Sequence, residues 1–504
     1  MTDHYDAIVI GAGSAGSVVT RRLVDAGRRV LLLEAGGPDT NPMIHDMVGM
    51  GSLWHGPEDW DYHTVPQAHA AGRRLHLPRG KVLGGSHSLN AAIWVRGDAK
   101  DYDGWEAVGC TGWGWNDILP VYQAIENYDG GPGATRGVGG PLDIVGNYPL
   151  VPIQQSIIAA AVEIGLPHNP DYNDGLLDGV SQEQITVRNG SRLNTYIAYV
   201  RPIEDHPNLE ITTGAWVHRV LLTGGRATGV EIEVGGEVRT LTADDVVLAA
   251  GALDSPRILL RSGIGPKEEL TEIGIEPLVD LPGVGKNLHD HLLSPVIFTT
   301  DDREVDPPQP GVSVTQTHLF WRSDPELQVP DTQPINFSVP MYQDWMSGPE
   351  SGFSLMAGLI TPYSRGSVTL TGAGPHDPIA IDLAALEDDR DVASLVASVA
   401  QCRAIGRAPA LAAWGARELY PGPDVADEDL DAYVRQSAIT YHHQVGTCRM
   451  GVGPDAVVDP KLRVRGVDGL WVADASVMPT IISGNTNAPA VLIGERGAAF
   501  LLED

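Results

Sequence analysis

Cysteine is scarce: three in 504 residues, too few to staple a fold. Cys110, Cys402 and Cys448 are scattered, with no CxxC pair and no disulfide-framework spacing, which points to a reducing compartment. Basic residues are also short. Thirty-four Lys and Arg against 65 Asp and Glu leave a formal charge of −31, which excludes a phosphate backbone as a partner and argues against an anionic membrane face. No uninterrupted apolar run reaches the roughly 20 residues of a membrane-spanning helix. No signal peptide precedes the first strand-like run, so a soluble, cytoplasmic protein is expected, and the sequons at Asn189 and Asn336 carry no weight. No His/Cys/carboxylate cluster has metal-ligand spacing, and no metal is expected. Internal repeats and low-complexity linkers are missing too. What remains, with 42 % hydrophobic residues, is material for a sizeable core in two or three domains.

The informative stretch is Asp6 to Gly36. Ala7 to Ile10 is an apolar run long enough for one buried strand. Gly11-Ala12-Gly13-Ser14-Ala15-Gly16 follows with G-x-G-x-x-G spacing. A helical pattern (Val18, Val19, Leu23, Val24) closes at Gly27, and a second apolar run, Val30 to Leu33, ends on Glu34. Gly11 permits the tight turn, Gly13 lets backbone approach a pyrophosphate, and Gly16 lets helix and strand pack closely. The helix N-terminus offers free N–H groups to phosphates, while Glu34 suits ribose hydroxyls and repels a 2′-phosphate. A βαβ turn without a ligand is the alternative. The complete strand–turn–helix–strand–acid order favours a dinucleotide.

Residues 37–77 are irregular, and Trp54, Trp60 and Tyr62 there read as packing over the neighbouring site or as a lid. Pro78 to Asn90 carries Gly84-Gly85-Ser86, small residues able to press backbone amides against a flat or anionic ligand. A helical run over Ile153–Val162 ends at Gly165. Leu209–Thr213, Val217–Leu222, Ala227–Val234 and Val238–Leu241 read as strands with turns at Gly224-Gly225 and Gly235-Gly236, before a buried strand Asp245–Ala250. Val312–Trp321, Ile335–Met341, Ser351–Thr361 and Ser367–Leu370 are strand-like, and Arg390–Cys402 is helical. The aromatics Phe320, Trp321, Phe337, Tyr342 and Trp345 read as core or as a pocket wall.

With the first stretch, GKVLGGSHSLNAAIWVRG at 80–97 resembles the first signature of the glucose–methanol–choline (GMC) flavoprotein oxidoreductases. Gly251 to Gly265 resembles the second signature. Pro282 to His291, His443 to Gly451 and Gly484 to Pro489 resemble further motifs of that family, in its order and across the whole chain. The resemblance implies an α/β fold: a Rossmann-type FAD-binding domain interleaved with an α+β substrate domain built on an antiparallel sheet. The expected division gives 1–150 (with the cofactor loop 78–97), 208–294 and 441–504 to FAD, and 151–207 and 295–440 to substrate. FAD is the implied cofactor. Its expected contacts are Gly11, Gly13, Ser14, Ala15, Gly16, Glu34, Ala35, Gly84, Gly85, Ser86, Asn90, Ala91, Val217 beside the adenine, Ala250, Gly251, Asp474 and Ala475 near the ribityl–pyrophosphate, and Asn487 and Ala488 beside the pyrimidine ring.

One dinucleotide fingerprint leaves no nicotinamide site, so the flavin takes hydride from a small donor. Expelling hydride from an alcohol carbon needs a base for the hydroxyl proton, and histidine suits it. His442 and His443 are the candidates. The family's His-x-x-Gly-Thr order selects His443, and an extended segment would turn its neighbour away. The second catalytic position falls on Asn485, which cannot accept a proton but can hold the substrate oxygen, as in the His/Asn branch with choline and hydroxymethylfurfural oxidases. Some members tether FAD covalently through a histidine two residues beyond His87; Leu89 stands there, so noncovalent FAD is expected. Cys448 reads as packing. The implied function is oxidation of an alcohol, primary by preference, to an aldehyde, with oxygen, a quinone or another carrier as acceptor. The alternatives are a GMC dehydrogenase serving a redox cofactor such as mycofactocin, or a GMC-fold lyase or decarboxylase; retention of His443 and Asn485 argues against a photodecarboxylase.

Overall fold

A computed structural model describes residues 4–49 and 51–504. The first strand, β1 (His4–Ile10), leads through Gly11–Gly13 into helix α1 (Ser14–Asp25) and then β2 (Val30–Leu33). β1 is parallel to β2, with Ala7 opposite Val30 and Ile10 opposite Leu33. All four β2 residues are buried, as a strand covered on both faces requires. On its other edge β1 pairs in parallel with Glu237–Leu248, and β2 with Leu209–Thr212.

The strand Glu237–Leu248 departs from expectation: Val238–Leu241 and Asp245–Leu248 are one continuous element, and Ala249 and Ala250 lie beyond it. Asp244 and Asp245 interrupt the apolar pattern that separates the two in sequence. The backbone stays extended because both edges are taken: Thr242 lies opposite His4 on one side and Gly229 on the other. Asp245 is also partnered, accepting a bond from the Trp471 ring N–H at 3.2 Å. The sheet is completed antiparallel by Arg226–Val234 and Ala215–Thr223, and in parallel by Leu470–Val472. The expected glycine turns sit between these strands, all four glycines with positive φ.

The second large sheet is antiparallel throughout. Its order is Ala416–Tyr420, Leu292–Thr300, Gly352–Leu359, Ile335–Phe337, Thr315–Phe320 and Gly179–Gln182, with Ile439–Thr440 beside Leu292 and Leu293. Helix Asp389–Gly406, capped by the Asp388 carboxylate on the Arg390 N–H, covers one face. Gly406 is required there: a Cβ would lie 2.0 Å from the Phe298 ring. The expected strand Ile335–Met341 stops at Phe337. Pro340 has no N–H for a ladder, and the Ser354 hydroxyl replaces the ladder locally, accepting from Met341 N and donating to Val339 O. The expected helices appear as Pro152–Glu163 and Asp389–Gly406. The fold is thus mixed α/β, a Rossmann-like sheet and an antiparallel sheet facing one cavity. Among the described residues no helix is long and apolar enough to cross a membrane.

Candidate active site

A cavity of about 840 Å³ runs from α1 to the inner face of the antiparallel sheet. Its floor at the α1 end is built from backbone. Gly11 has φ +102°, and a Cβ there would meet the Ala249 carbonyl oxygen at 2.4 Å. Gly16 lies behind the floor rather than in it; a Cβ would fall 1.9 Å from the Gly11 oxygen, so its job is helix–strand packing. Gly13 and Gly85 abut: a Cβ on Gly85 would lie 2.7 Å from the Gly13 Cα, and Gly84 N donates to Ala12 O at 3.0 Å. Two glycine loops are thereby joined beside the free N–H groups of α1. Ser14 Oγ donates to Asn487 Oδ1 at 2.6 Å, tying α1 to the start of the last helix, Asn487–Glu503.

Of the residues expected to hold the cofactor, Gly11, Gly13, Ser14, Ala15, Glu34, Ala35, Gly85, Ser86, Asn90, Ala91, Val217, Ala250, Gly251, Asp474, Ala475 and Asn487 line this cavity. Gly16, Gly84 and Ala488 do not. Ala488 is fully buried, and Gly84 is pressed against Ser88 and Asn194, where a Cβ would come within 2.5 Å of both. Glu34 is buried and accepts from Ala12 N at 2.9 Å and Gly36 N at 2.8 Å. Burial raises its pKa to about 7 against the pull of those N–H groups. Asp474 accepts from Gly251 N at 2.8 Å and from the Ser255 hydroxyl at 2.5 Å, and burial raises its pKa. His87 is fully buried, bonded to Thr186 Oγ1 at 2.9 Å, and absent from the lining, whereas Leu89 lines it. Burial, with Arg192 adding to it, lowers the His87 pKa to about 3.

At the other end stand His443 and Asn485, 9 % and 8 % exposed. Asn485 Oδ1 accepts from Gln333 Nε2 at 2.9 Å, which leaves its amide nitrogen facing His443 Nε2 at 3.2 Å. The assigned amide therefore donates to Nε2, and the neutral ring carries its proton on Nδ1. That proton points at His291 Nδ1, 3.0 Å away. Burial, reinforced by His291, His442 and Arg79, holds the His443 pKa well below the ordinary imidazole range. The Tyr441 ring stacks on His443 at 4.5 Å. Asp290 fixes the loop: it accepts from His443 N at 2.7 Å and from the Thr440 hydroxyl and Gln444 amide. Burial raises its pKa to about 6, against those three bonds and Arg79.

His442 corrects the expectation of an extended segment. Its φ is +66°, so the alternation of side chains fails there and both histidines line the cavity. Its ring packs edge-on against Trp54 at 5.2 Å, and its carbonyl accepts from Arg79 at 2.5 Å. Sequence reasoning assigned no role to His291, Asp290, Gln333 or Tyr441. Asp290 and His291 lie in a quoted motif, a signal of place but not of task. The cavity wall near His443 is apolar, with Leu293, Ile335, Phe337, Met341 and Met356.

Among the described residues, two His–carboxylate groups bring their donor atoms within 4.8 Å: His55, Asp61 and His76, and His218, Glu233 and His376. The second spans 158 positions of sequence and so has no readable spacing. The cysteines are buried and free.

The N-terminal GMC oxidoreductase model matches residues 5–293 and the C-terminal model residues 362–494. An alcohol dehydrogenase [acceptor] of Pseudomonas putida is 36 % identical, covering 99 % of this chain and 96 % of its own. An oxygen-dependent choline dehydrogenase of Brucella anthropi is 35 % identical over 99 % of this chain and 95 % of its own. The crystal structure of pyridoxine 4-oxidase from Mesorbium loti superposes with a TM-score of 0.95 at 36 % identity, covering 99 % of both chains. FAD is the cofactor that goes with this family, and a glycine-floored cavity beside a helix N-terminus with a buried acid at its rim fits a dinucleotide. The chain belongs to the GMC oxidoreductases, as an FAD-dependent alcohol oxidoreductase.

Proposed function

We propose that this enzyme oxidises a primary alcohol to an aldehyde with His443 as base and Asn485 as the clamp on the substrate oxygen. The observation that carries the reading is the 3.2 Å contact between Asn485 Nδ2 and His443 Nε2, with Nδ1 occupied by a proton directed at His291. A substrate hydroxyl entering between them replaces that contact: it donates to Nε2 and accepts from the Asn485 amide. His443 is neutral at working pH and can take the hydroxyl proton, and the alkoxide so formed expels hydride from its carbon. Bound FAD supplies the hydride acceptor. The Nδ1–H bond to His291 and the stacked Tyr441 ring keep the imidazole in plane while it becomes cationic. The apolar wall opposite favours a carbinol with a hydrocarbon or aromatic body.

The residues that would hold FAD are the Gly11–Ala15 turn and Gly85–Ser86 at the pyrophosphate, Glu34 at the ribose, Val217 at the adenine and Asn487 at the ring. Attachment is noncovalent in this reading, supported by the burial of His87 and by Leu89 in the linkage position. Electrons pass on to oxygen or a quinone-type carrier, and the free buried thiols support a reducing, cytoplasmic setting. The test is anaerobic addition of aliphatic, aromatic and amino alcohols to purified holoenzyme. Flavin bleaching by at least one primary alcohol, with the matching aldehyde formed, is expected; no bleaching by any of them overturns the reading.

A further inference from the structure

Polar side chains form one continuous chain through the reacting end of the cavity. Gln333 Nε2 donates to Asn485 Oδ1 at 2.9 Å and faces His318 Nδ1 at 3.4 Å. Asn485 Nδ2 meets His443 Nε2 at 3.2 Å, and His443 Nδ1 meets His291 Nδ1 at 3.0 Å. Such a chain has two self-consistent senses. Each histidine can shift a proton between its ring nitrogens, and Asn485 can turn its amide over. In the opposite sense Asn485 Oδ1 would accept from a protonated His443 Nε2. That nitrogen could then take no proton from a substrate hydroxyl. Something must hold the productive sense.

Gln333 has the features of that holder. It is fully buried and absent from the cavity lining, so it does not touch substrate. Its backbone is pinned to the antiparallel sheet: Gln333 N donates to Gly358 O at 3.1 Å, and a Cβ on Gly358 would lie 2.2 Å from Gln333 O. Its second N–H has a target in His318, which is fully buried and gripped edge-on by Tyr172 and Phe320 at 4.4 and 4.7 Å. Burial lowers the His318 pKa to about 3, so that ring is neutral and Nδ1 can accept. The Gln333 amide oxygen is buried without a partner among the described residues. As placed, then, the amide strands one acceptor. Turned over, it would strand two N–H donors in the same buried spot, which costs more.

We propose that Gln333 is a positioning residue that sets the sense of this chain: by donating to Asn485 Oδ1 it keeps the Asn485 N–H on the substrate oxygen and leaves His443 Nε2 open as proton acceptor. The inference rests on the alcohol oxidation proposed above. It names a residue that acts through Asn485 and not on substrate. The Asn485 N–H bond strengthens as the alkoxide forms, so Gln333 affects the limiting rate and not the binding of alcohol.

The test is anaerobic stopped-flow reduction of holoenzyme by a primary alcohol, with flavin content and melting temperature read on every variant. Gln333→Met keeps the bulk and removes the amide. It should lower the limiting rate about three- to tenfold and change the apparent Kd for alcohol less than twofold. In an Asn485→Ala background the same substitution should change the rate less than twofold, because no amide remains to be held. Gln333→Glu, read at pH 9, offers Asn485 only an acceptor and turns its amide over. It should be slower than Gln333→Met by about tenfold or more, since His443 then carries its proton on the wrong nitrogen. Equal losses in the two backgrounds overturn the proposal, as does a raised Kd with an unchanged limiting rate, or Gln333→Glu no slower than Gln333→Met. If Gln333→Glu does not fold, the Gln333→Met cycle decides alone. His443→Ala, run alongside, separates the two readings. Unimpaired reduction there overturns the base and this inference together; a slow His443→Ala with no coupling between Gln333 and Asn485 overturns this inference only.

Discussion

The two ends of the cavity are made of different materials. The α1 end is backbone: glycines whose missing Cβ atoms let loops touch, amides at a helix start, one acid at a strand end. The His443 end is side chain upon side chain, drawn from four distant segments: Asp290 and His291, Gln333, Tyr441 to His443, and Asn485. Backbone geometry is encoded locally, within a few residues of each glycine. A side-chain network is encoded by packing, and no short window of sequence holds it.

The contrast predicts that variants will divide along the same line. The largest effect belongs to the base. His443→Ala should slow flavin reduction roughly 10²–10⁴-fold, the usual worth of a positioned base, and leave flavin content unchanged. Anaerobic stopped-flow reduction with a flavin assay checks both. In the unmodified enzyme the rate should show no inflection near 6.5, because only the neutral ring accepts a proton and burial keeps it neutral well below that pH. Next comes Glu34→Arg, which removes an acceptor from two N–H groups and buries a cation. Charge-assisted bonds are worth about 1.5–3 kcal/mol, so FAD affinity should fall about 10- to 100-fold, with the rate per bound flavin preserved. A purified variant with full flavin and unaltered FAD affinity would erase the distinction between the two ends.

Asn485→Ala loses one neutral hydrogen bond to the substrate oxygen, about 1 kcal/mol, so reduction should slow only several-fold and keep the parent pH profile. His442→Ala should do least, under about threefold in reduction rate, because its ring contacts Trp54 while its backbone does the positioning. If His442→Ala gives the large loss and His443→Ala the small one, the base has been misassigned.

Legibility in the sequence follows the same division. The β1–α1–β2 unit and its glycine roles are readable because sterics at Gly11 and Gly16 act over a handful of residues. His443 and Asn485 came from family resemblance, since nothing in Tyr441-His442-His443 alone distinguishes one histidine from the other. The left-handed backbone at His442 was invisible: a histidine is an uncommon occupant of that region, and alternation was the natural expectation. His291 could be located but not given a partner, because its 3.0 Å contact spans 152 positions. Likewise, the continuous strand Glu237–Leu248 depends on neighbours at both edges, which no local pattern contains.

β1 has a consequence for how the chain is made. Its inner edge waits for residue 242, 238 positions after His4. At 5–20 residues per second that interval lasts about 12–48 s, during which an apolar strand lies against β2 with its other side unpaired. An open apolar edge is a template for another chain. Growing polypeptides of this protein therefore need shielding through much of their synthesis, and crowded ribosomes or fast expression should divert them into aggregates before the flavin cradle exists.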